Sequence, residues 1–230
     1  MIVLGVDSSS RSASAAVLRD DVLLSEVFVN TGLTHSQTLI PLINEALKNA
    51  EIDVNELDLI AVSNGPGSFT GVRIGVSAAK GIAFTGNIKC CPVSTLEALS
   101  QNLKKFNGII CSVLDARCNQ VYYALFESYG RNIKRICDDD AAAISELGEK
   151  IKYFTKNIIF VGDGAQLCYN EFKDKFNNVF LSEINSRFLR ASSVALCAVD
   201  KNDYICAEEL LPSYLSLPQA QRNLKKSLEG

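Results

Sequence analysis

The sequence predicts an α/β protein in which one structural unit occurs twice along the chain. Three strand-like segments followed by a helix, a strand and a helix form the first unit, and the same order returns in the second half. The two units also align by sequence: Ile2–Asp7 is similar to Ile109–Asp115, and Leu59–Gly65 is similar to Ile158–Gly164. Because many independent segments must agree for such a repeat to arise, it indicates the fold more strongly than any single segment.

Apolar runs bounded by polar turns define the elements of the first unit. We predict strands at Ile2–Val6, Ala13–Leu18, Val22–Val29, Leu59–Val62 and Ile88–Val93. Helices are predicted at His35–Ala50, Thr70–Thr85 and Ser94–Lys105. Thr34 stands at the expected N-cap of the first helix, and Pro41 should kink that helix or confine the residues before it to the opening turns.

The second unit follows by the same criteria. We predict strands at Ile109–Leu114, Val121–Phe126, Ile133–Cys137, Ile158–Val161 and near Val179, and helices at Ala141–Tyr153, from Gly164 to about Phe176, and at Ala191–Val199. The predicted boundaries are an N-terminal lobe at 1–106, a C-terminal lobe at 107–205 and a tail at 206–230. A duplicated βββαβα unit is typical of the actin-like (ribonuclease-H-like, ASKHA) architecture, in which two lobes face each other across a cleft.

Composition limits the possible functions. The 230 residues are 47% hydrophobic and 21% charged, with a formal net charge of −3. This balance argues against a chain that binds nucleic acid on its own, although contact with RNA inside an assembly stays open. We expect a cytoplasmic protein without membrane contact, because no signal-peptide pattern and no long apolar run occur. Eight cysteines without a C-x-x-C pair indicate reduced thiols.

Asp7 and Asp115 end the first strand of each unit, where the cleft should lie. Ligands gather at the carboxyl ends of strands, so both aspartates, with Ser8, Ser9 and the loop Gly162-Asp163-Gly164, are candidates for binding ATP or ADP with magnesium. Neither turn after Asp7 or Asp115 contains the glycine that close approach of the backbone to phosphate favours. The alternative is that both aspartates only cap turns, and that the chain requires no cofactor.

The segment Gly65–Gly75 is the most distinctive one in the sequence. Its glycines precede a predicted helix, as in phosphate-binding loops, but the G-K-[ST] ending is missing. It also fits a tight turn with Ser68 or Thr70 as the N-cap. Small residues then recur every fourth position, at Gly71, Gly75, Ala79 and Ala83. This stripe indicates close packing of the helix, either inside the chain or against a partner, and the spacing does not distinguish the two.

His35 is the only histidine. A metal site with two histidines is therefore impossible, and a Ser-His-Asp triad would depend on this one residue. No G-x-S-x-G segment accompanies it. We expect His35 to be an ordinary residue in the first turn of a helix, and we predict neither catalytic nor metal-binding residues.

The sequence resembles the TsaB (YeaZ-like) family along nearly its whole length. The residues that carry the resemblance are Gly5–Ser10, His35–Pro41, Gly65–Gly75, Ala79–Gly81, Val93–Leu99, Leu114–Arg117, Gly162–Ala165 and Pro212–Leu215. The resemblance implies a bacterial subunit that works with TsaD in making threonylcarbamoyladenosine on tRNA. TsaD carries a metal-binding His-x-x-x-His pair, and Thr95 and Leu99 occupy those positions here. The resemblance therefore implies a non-catalytic subunit that binds and stabilises the transferase.

The resemblance also implies a set of partners. These are a TsaD-like catalytic subunit, a TsaE-like ATPase, tRNA through the complex, and a second copy of the chain in a homodimer. The two helices that begin near His35 and Thr70 would form the contact, with His35, Leu39, Ile43, Gly71, Gly75 and Ala79 as interface candidates. The tail from Leu211 is predicted to be mobile or docked on the surface, with a possible RNA contact. The alternatives are an actin-like ATPase or small-molecule kinase, a glycoprotease-like peptidase, and a homodimeric scaffold.

Overall fold

The computed structural model describes residues 1–130, 132–199, 201 and 203–215. Helices α1 to α7 span His35–Ala50, Phe69–Gly86, Thr95–Gln101, Ile144–Ile151, Ala165–Phe172, Ile184–Arg187 and Ala191–Val199. Short 3-10 helices lie at Val54–Glu56 and Ala207–Glu209. No helix in the described ranges is both long and apolar enough to cross a membrane.

The first half forms a five-stranded sheet. Its strands are β1 (Ile2–Asp7), β2 (Ala13–Arg19), β3 (Val22–Val29), β4 (Leu59–Gly65) and β5 (Lys89–Ser94), in the order β3-β2-β1-β4-β5. β1, β2 and β3 pair antiparallel, whereas β4 and β5 continue the sheet in parallel. Val3, Leu4 and Val6 of β1 are fully buried, because both faces of this central strand are covered.

The second half repeats this arrangement. Its strands are β6 (Gly108–Arg117), β7 (Gln120–Tyr129), β8 (Asn132–Arg135), β9 (Asp140–Ala143), β10 (Ile158–Val161) and β11 (Val179–Leu181). They lie in the order β11-β10-β6-β7-β8, with β9 also paired to β7. The strand order and directions match those of the first sheet, so the predicted duplication is confirmed.

Two helices lie between the sheets and join the halves. α3 belongs to the first half of the chain and packs on β6 and β7 as well as on β4 and β5, whereas α7 comes from the second half and packs on β1 and β2. Leu96 and Leu99 of α3 and Val194 of α7 are fully buried in one apolar cluster with residues of both sheets. The two lobes therefore share a central core. The division at residues 106 and 107 stays a prediction.

The outer faces of the sheets are covered by the remaining long helices. α1 and α2 pack on the first sheet around Leu4, Val6 and Ile60. α4 and α5 pack on the second sheet around Cys111 and Phe160. Burial of these apolar faces, at about 25 cal/mol per Å², is the main term that stabilises each layer.

Residues 203–215, which we call the C-terminal strap, return to the first lobe. Cys90 of β5 and Ile205 exchange two backbone hydrogen bonds of 2.9 Å. Leu210 is fully buried in the outer core of the first lobe, and Ser213 N–H donates to Asn64 O at 2.7 Å. The described part of the predicted tail is thus docked rather than mobile, because its apolar residues complete a core. Residues 216–230 lie outside the described residues.

Three predicted helix boundaries are wrong, and one of them is the end of α5, which lies at Phe172 rather than near Phe176. Asp140–Ala143 forms β9 instead of the first turn of a helix, because it pairs with Gln120–Tyr123 of β7 and this pairing overrides the helix propensity of alanine. α3 ends at Gln101 rather than near Lys105, and turns follow it.

Candidate functional site

A cleft of about 940 Å³ opens between the two lobes. The first lobe lines it with the turn after β1 and with Gly67–Phe69 at the start of α2, and the second lobe lines it with Leu114–Cys118 and Asp163. The strap adds Ser213 and Tyr214. The volume is within the range of small-molecule sites.

Asp7 does not face this cleft. Its side chain is fully buried, and Oδ1 accepts hydrogen bonds from Ser9 N (3.0 Å), Ser9 Oγ (2.6 Å) and Ser63 Oγ. Burial raises the pKa of Asp7, and the hydrogen bonds from Ser63 and Ser9 oppose that rise. Ser8 also turns away, because its Oγ donates to Gly71 O at 2.9 Å. Of the candidates in this turn, only Ser9 lines the cleft.

The second lobe presents its carboxylates to the cleft. Asp115 is exposed, and its Oδ1 accepts from Arg117 N at 2.8 Å, just as Asp7 accepts from Ser9 N. Both aspartates thus cap the turn that follows their strand, as the alternative interpretation predicted. Asp163 Oδ1 accepts from Asp115 N at 3.0 Å, and the N–H of Arg11 in the first lobe also donates to this carboxyl. Burial raises the pKa of Asp163, and the neighbouring Asp115 carboxylate adds to the rise.

Gly162 and Gly164 let the loop after β10 pack closely against the end of β6. A Cβ at Gly162 would lie 2.0 Å from Val113 O, and one at Gly164 would lie 3.0 Å from the carbonyl carbon of Leu114. Gly162 has a φ of +113°, which also favours glycine. Neither glycine lines the cleft, so these two candidates position Asp163 rather than approach a ligand.

The Gly65–Gly75 segment packs against the turn after β1. Ser68 N–H donates to Ser9 O at 2.7 Å, and a Cβ at Gly67 would lie 2.2 Å from that same oxygen. Ser68 is the N-cap of α2, and its Oγ accepts from Gly71 N at 3.3 Å. The tight-turn interpretation is confirmed, with Ser68 in the capping position.

The small-residue stripe of α2 faces the interior of the lobe. A Cβ at Gly71 would lie 2.1 Å from Ser8 O, one at Gly75 would lie 2.7 Å from Ser8 Oγ, and Ala79 is fully buried. Leu39 and Ile43 of α1 are each only 1% exposed. The prediction that these five residues contact a partner is therefore wrong, because their side chains or Cα faces already pack inside their own lobe.

The outer faces of α1 and α2 carry a different set of residues. Ile40 of α1 is 45% exposed and Phe84 of α2 is 55% exposed. α2 also exposes Ser77 and Gly81, and a Cβ at Gly81 would meet no atom within 4 Å. This surface combines apolar side chains with small residues, so another backbone could approach it closely.

His35 joins α1 to the turn after β1. Its Nε2 lies 2.8 Å from Ser10 O and donates to it, since a carbonyl oxygen can only accept. The residue is half-buried and begins α1, as predicted. This hydrogen bond orients the ring and gives it a structural use.

Thr95 and Leu99 lie in the shared central core. Both are fully buried, and Thr95 Oγ1 has no hydrogen-bond partner. An alkyl side chain and a single hydroxyl do not form a donor set for a metal ion. Among the described residues, no group of three His, Cys, Asp or Glu side chains is arranged to hold one.

Comparison with known proteins shows to which family the chain belongs. The family model for TsaD, tRNA N6-adenosine threonylcarbamoyltransferase, matches residues 30–224. The TsaB protein of Bacillus subtilis, named for tRNA threonylcarbamoyladenosine biosynthesis, is 29% identical over 222 residues, which are 96% of this chain and 96% of that protein. The TsaB protein of Buchnera aphidicola subsp. Schizaphis graminum is 31% identical over 76% of this chain and 84% of that protein. The chain belongs to the TsaB family.

A solved structure shares the fold of the chain. YeaZ from Pseudomonas aeruginosa superposes with a TM-score of 0.79 at 24% identity, over 93% of this chain and 99% of that chain. At this identity the match shows the fold alone. Together with the matching strand order of the two sheets, it confirms the duplicated actin-like architecture that the sequence predicts.

Sequence reasoning missed the cluster that fixes the strap of this TsaB-family chain beside the cleft. Arg73 Nε donates to Tyr214 OH at 2.7 Å, and its guanidinium lies 3.8 Å from the centre of the Phe69 ring. The rings of Phe69 and Tyr214 are 4.9 Å apart. Arg73 and Tyr214 are 141 positions apart along the chain, so no local sequence pattern predicts the contact.

Proposed function

We propose that this chain is a non-catalytic subunit that binds and stabilises a TsaD-like transferase during threonylcarbamoyl modification of the tRNA adenosine next to the anticodon. Its TsaB relatives are named for this biosynthesis. The observation that carries the proposal is the chemistry at Thr95 and Leu99. Leu99 belongs to the shared core and Thr95 is fully buried, so neither position supplies a metal ligand, and the chain keeps the scaffold of its relatives for a supporting role.

The outer face of α1 and α2, centred on Ile40, Ser77, Gly81 and Phe84, is the contact surface that we propose for the transferase. Two exposed large apolar side chains on adjacent helices lose water on binding, which stabilises a complex by about 1.5–3 kcal/mol for each fully buried side chain. A contact of about 800 Å² on each partner is ordinary for a stable complex.

Gly81→Arg tests this surface. The free chain has room for the new side chain, so its folding should be unchanged while the partner is displaced. We expect wild type to form a 1:1 complex with its cognate transferase in size-exclusion chromatography, and Gly81→Arg to lose it. Asn170→Arg on exposed α5 of the other lobe is the matched control and should bind like wild type. Undiminished binding by Gly81→Arg would show that the surface is wrongly placed.

The same surface also fits a homodimer when the transferase is absent, and we propose that the two partners compete for it. Adding the transferase should then convert dimers into 1:1 complexes, which light scattering measures directly. A TsaE-like ATPase is proposed to join the 1:1 complex and not the free chain.

Binding of ATP or ADP with magnesium in the cleft is a second candidate function. The cleft volume and the exposed Asp115 beside Asp163 favour it. Against it, Asp7 and Ser8, two of the predicted ligands, turn into the lobe instead of the cleft. Calorimetric titration with Mg-ATP tests whether the cleft binds the nucleotide. Heat of binding that Asp115→Asn abolishes would support this function, and no heat at millimolar ATP would reject it.

A further inference from the structure

Four loops meet at the end of the second sheet that lies opposite the cleft. β6, β10 and β11 run parallel and all start there, while β7 ends and β8 begins there. Hydrogen bonds hold the loops together. Ser128 Oγ donates to Lys104 O at 3.1 Å, and Asn178 Nδ2 donates to Phe154 O at 2.9 Å and Lys156 O at 2.8 Å.

This end of the lobe is rich in lysine. It carries Lys104, Lys105, Lys134, Lys152, Lys156, Lys173 and Lys175. Three of them pair with glutamates: Lys152 with Glu149, Lys156 with Glu127 and Lys175 with Glu171. The other four are exposed and form no ion pair with a described residue. The exposed Asp174 lies in one of these loops, but the four unpaired lysines outnumber it, whereas the chain as a whole has a net charge of −3.

Exposed tyrosines accompany these lysines. Tyr153 is 78% exposed and Tyr129 is 55% exposed, and Lys152 Nζ lies 5.0 Å from the centre of the Tyr153 ring. A hollow of about 450 Å³ lies between Tyr153, Lys134, Lys156 and Glu127. Aromatic rings beside cations suit nucleic acid, because bases stack on the rings while the cations neutralise phosphates.

We infer that this lysine-rich end of the second lobe is a binding surface for the RNA backbone of the tRNA substrate, with Tyr153 stacking on an unpaired base. The inference rests on the proposed function, which supplies a tRNA to the assembly. An acidic protein would match the lysines equally well, but it would leave the exposed tyrosines without a use. The surface also lies on the lobe that does not carry α1 and α2, so a transferase on those helices leaves it free.

Charge removal at the unpaired lysines is the first test. Binding of an unmodified tRNA transcript is measured over a range of salt, for the chain alone and for its complex with the transferase. Each phosphate contact contributes about threefold to the loss of affinity between roughly 50 and 200 mM salt. Replacing Lys104, Lys105 and Lys134 together by Gln should therefore reduce that loss by about 30-fold. Arg19→Gln, an exposed charge on the first lobe, is the control and should leave it unchanged.

Glu127→Gln should change the affinity for tRNA in the opposite direction. It removes a carboxylate from the hollow and releases Lys156, so tRNA binding should tighten by about threefold. Tyr153→Leu should weaken binding at every salt concentration without changing the salt dependence, since it removes stacking and no charge.

The possible outcomes separate this inference from the proposed function. If the lysine variants form the transferase complex but bind tRNA with the same affinity and salt dependence as Arg19→Gln, the RNA surface is refuted and the proposed function stands. If wild type forms no complex with the transferase, the proposed function fails. The RNA surface is then tested on the free chain, by measuring whether tRNA protects these lysines from chemical acetylation. Equal protection by poly-glutamate would identify an acidic protein as the ligand and would also refute it.

Discussion

Alanine substitutions at three glycines of α2 test which face of the helix is turned inward. All three positions lie in one helix, so each change gains about the same helix propensity, roughly 0.5–1 kcal/mol in favour of alanine. The packing terms differ, because the added Cβ meets backbone at Gly71, a movable hydroxyl at Gly75 and nothing at Gly81. The series therefore isolates packing from propensity.

The structure fixes the expected order of stability. Gly81→Ala should raise the free energy of unfolding by about 0.5–1 kcal/mol, since only propensity changes. Gly75→Ala should be near neutral, because moving Ser8 Oγ by rotation sacrifices its hydrogen bond to Gly71 O, worth about 0.5–1.5 kcal/mol. Gly71→Ala places a methyl 2.1 Å from Ser8 O, and overpacking of this kind costs about 1–3 kcal/mol, so a net loss is expected.

Urea unfolding followed by circular dichroism measures these free energies, and thermal melting gives a second reading. For a chain of this length, 1 kcal/mol corresponds to about 2–4 °C in the melting temperature. Gly81→Ala and Gly71→Ala should thus differ by several degrees in opposite directions from wild type. If Gly71→Ala were as stable as Gly81→Ala, the stripe would not face the sheet, and the original assignment of these glycines to a partner surface would return.

Three further predictions concern the core, the strap and the thiols. The pKa of Asp7 is raised in the folded state, so above about pH 4 this carboxyl binds more protons in the folded than in the unfolded chain. The free energy of unfolding should therefore fall as pH rises. Asp7→Asn should remove this pH dependence, as urea unfolding between pH 4.5 and 8 can measure. Leu210→Ala should cost about 2–5 kcal/mol, whereas its exposed neighbour Leu211→Ala should cost little, as the same melts will show. Iodoacetamide should label exposed Cys118 in the native protein and label Cys168, whose pKa burial raises to about 12, only after unfolding, as mass spectrometry can determine.

The strands and their duplication could be predicted because the relevant signal is local. Ile2–Asp7 and Ile109–Asp115 are continuous apolar runs that end in a carboxylate, and buried central strands require such runs wherever they occur. The bounds that the sequence predicts for α1 match the structure for the same reason, since its apolar positions recur at helical spacing.

The direction in which a helix face points is a long-range property, and here the sequence was ambiguous. Gly71, Gly75 and Ala79 mark a face of α2 that something approaches closely, but spacing does not say whether that is Ser8 of the same chain or another protein. The exchange of α3 and α7 between the lobes is likewise invisible in the repeat, because each helix has the same local pattern whichever sheet it covers. β9 shows the converse, where pairing to β7 overrides a local preference.

The cleft shows how a symmetric sequence repeat gives an asymmetric site. Asp7 and Asp115 occupy equivalent positions, and each caps its own turn through a backbone N–H two residues on. Two serine hydroxyls donate to Asp7 Oδ1 and leave its buried Oδ2 without a partner. No side-chain hydroxyl of the described residues donates to Asp115, which is exposed next to Asp163. A divalent cation in this cleft would have to be held by carboxylates of the second lobe alone. The repeat therefore predicts the positions of both aspartates correctly. Serine hydroxyls bind only one of them, Asp7, and this difference leaves Asp115 as the aspartate that can contact a ligand.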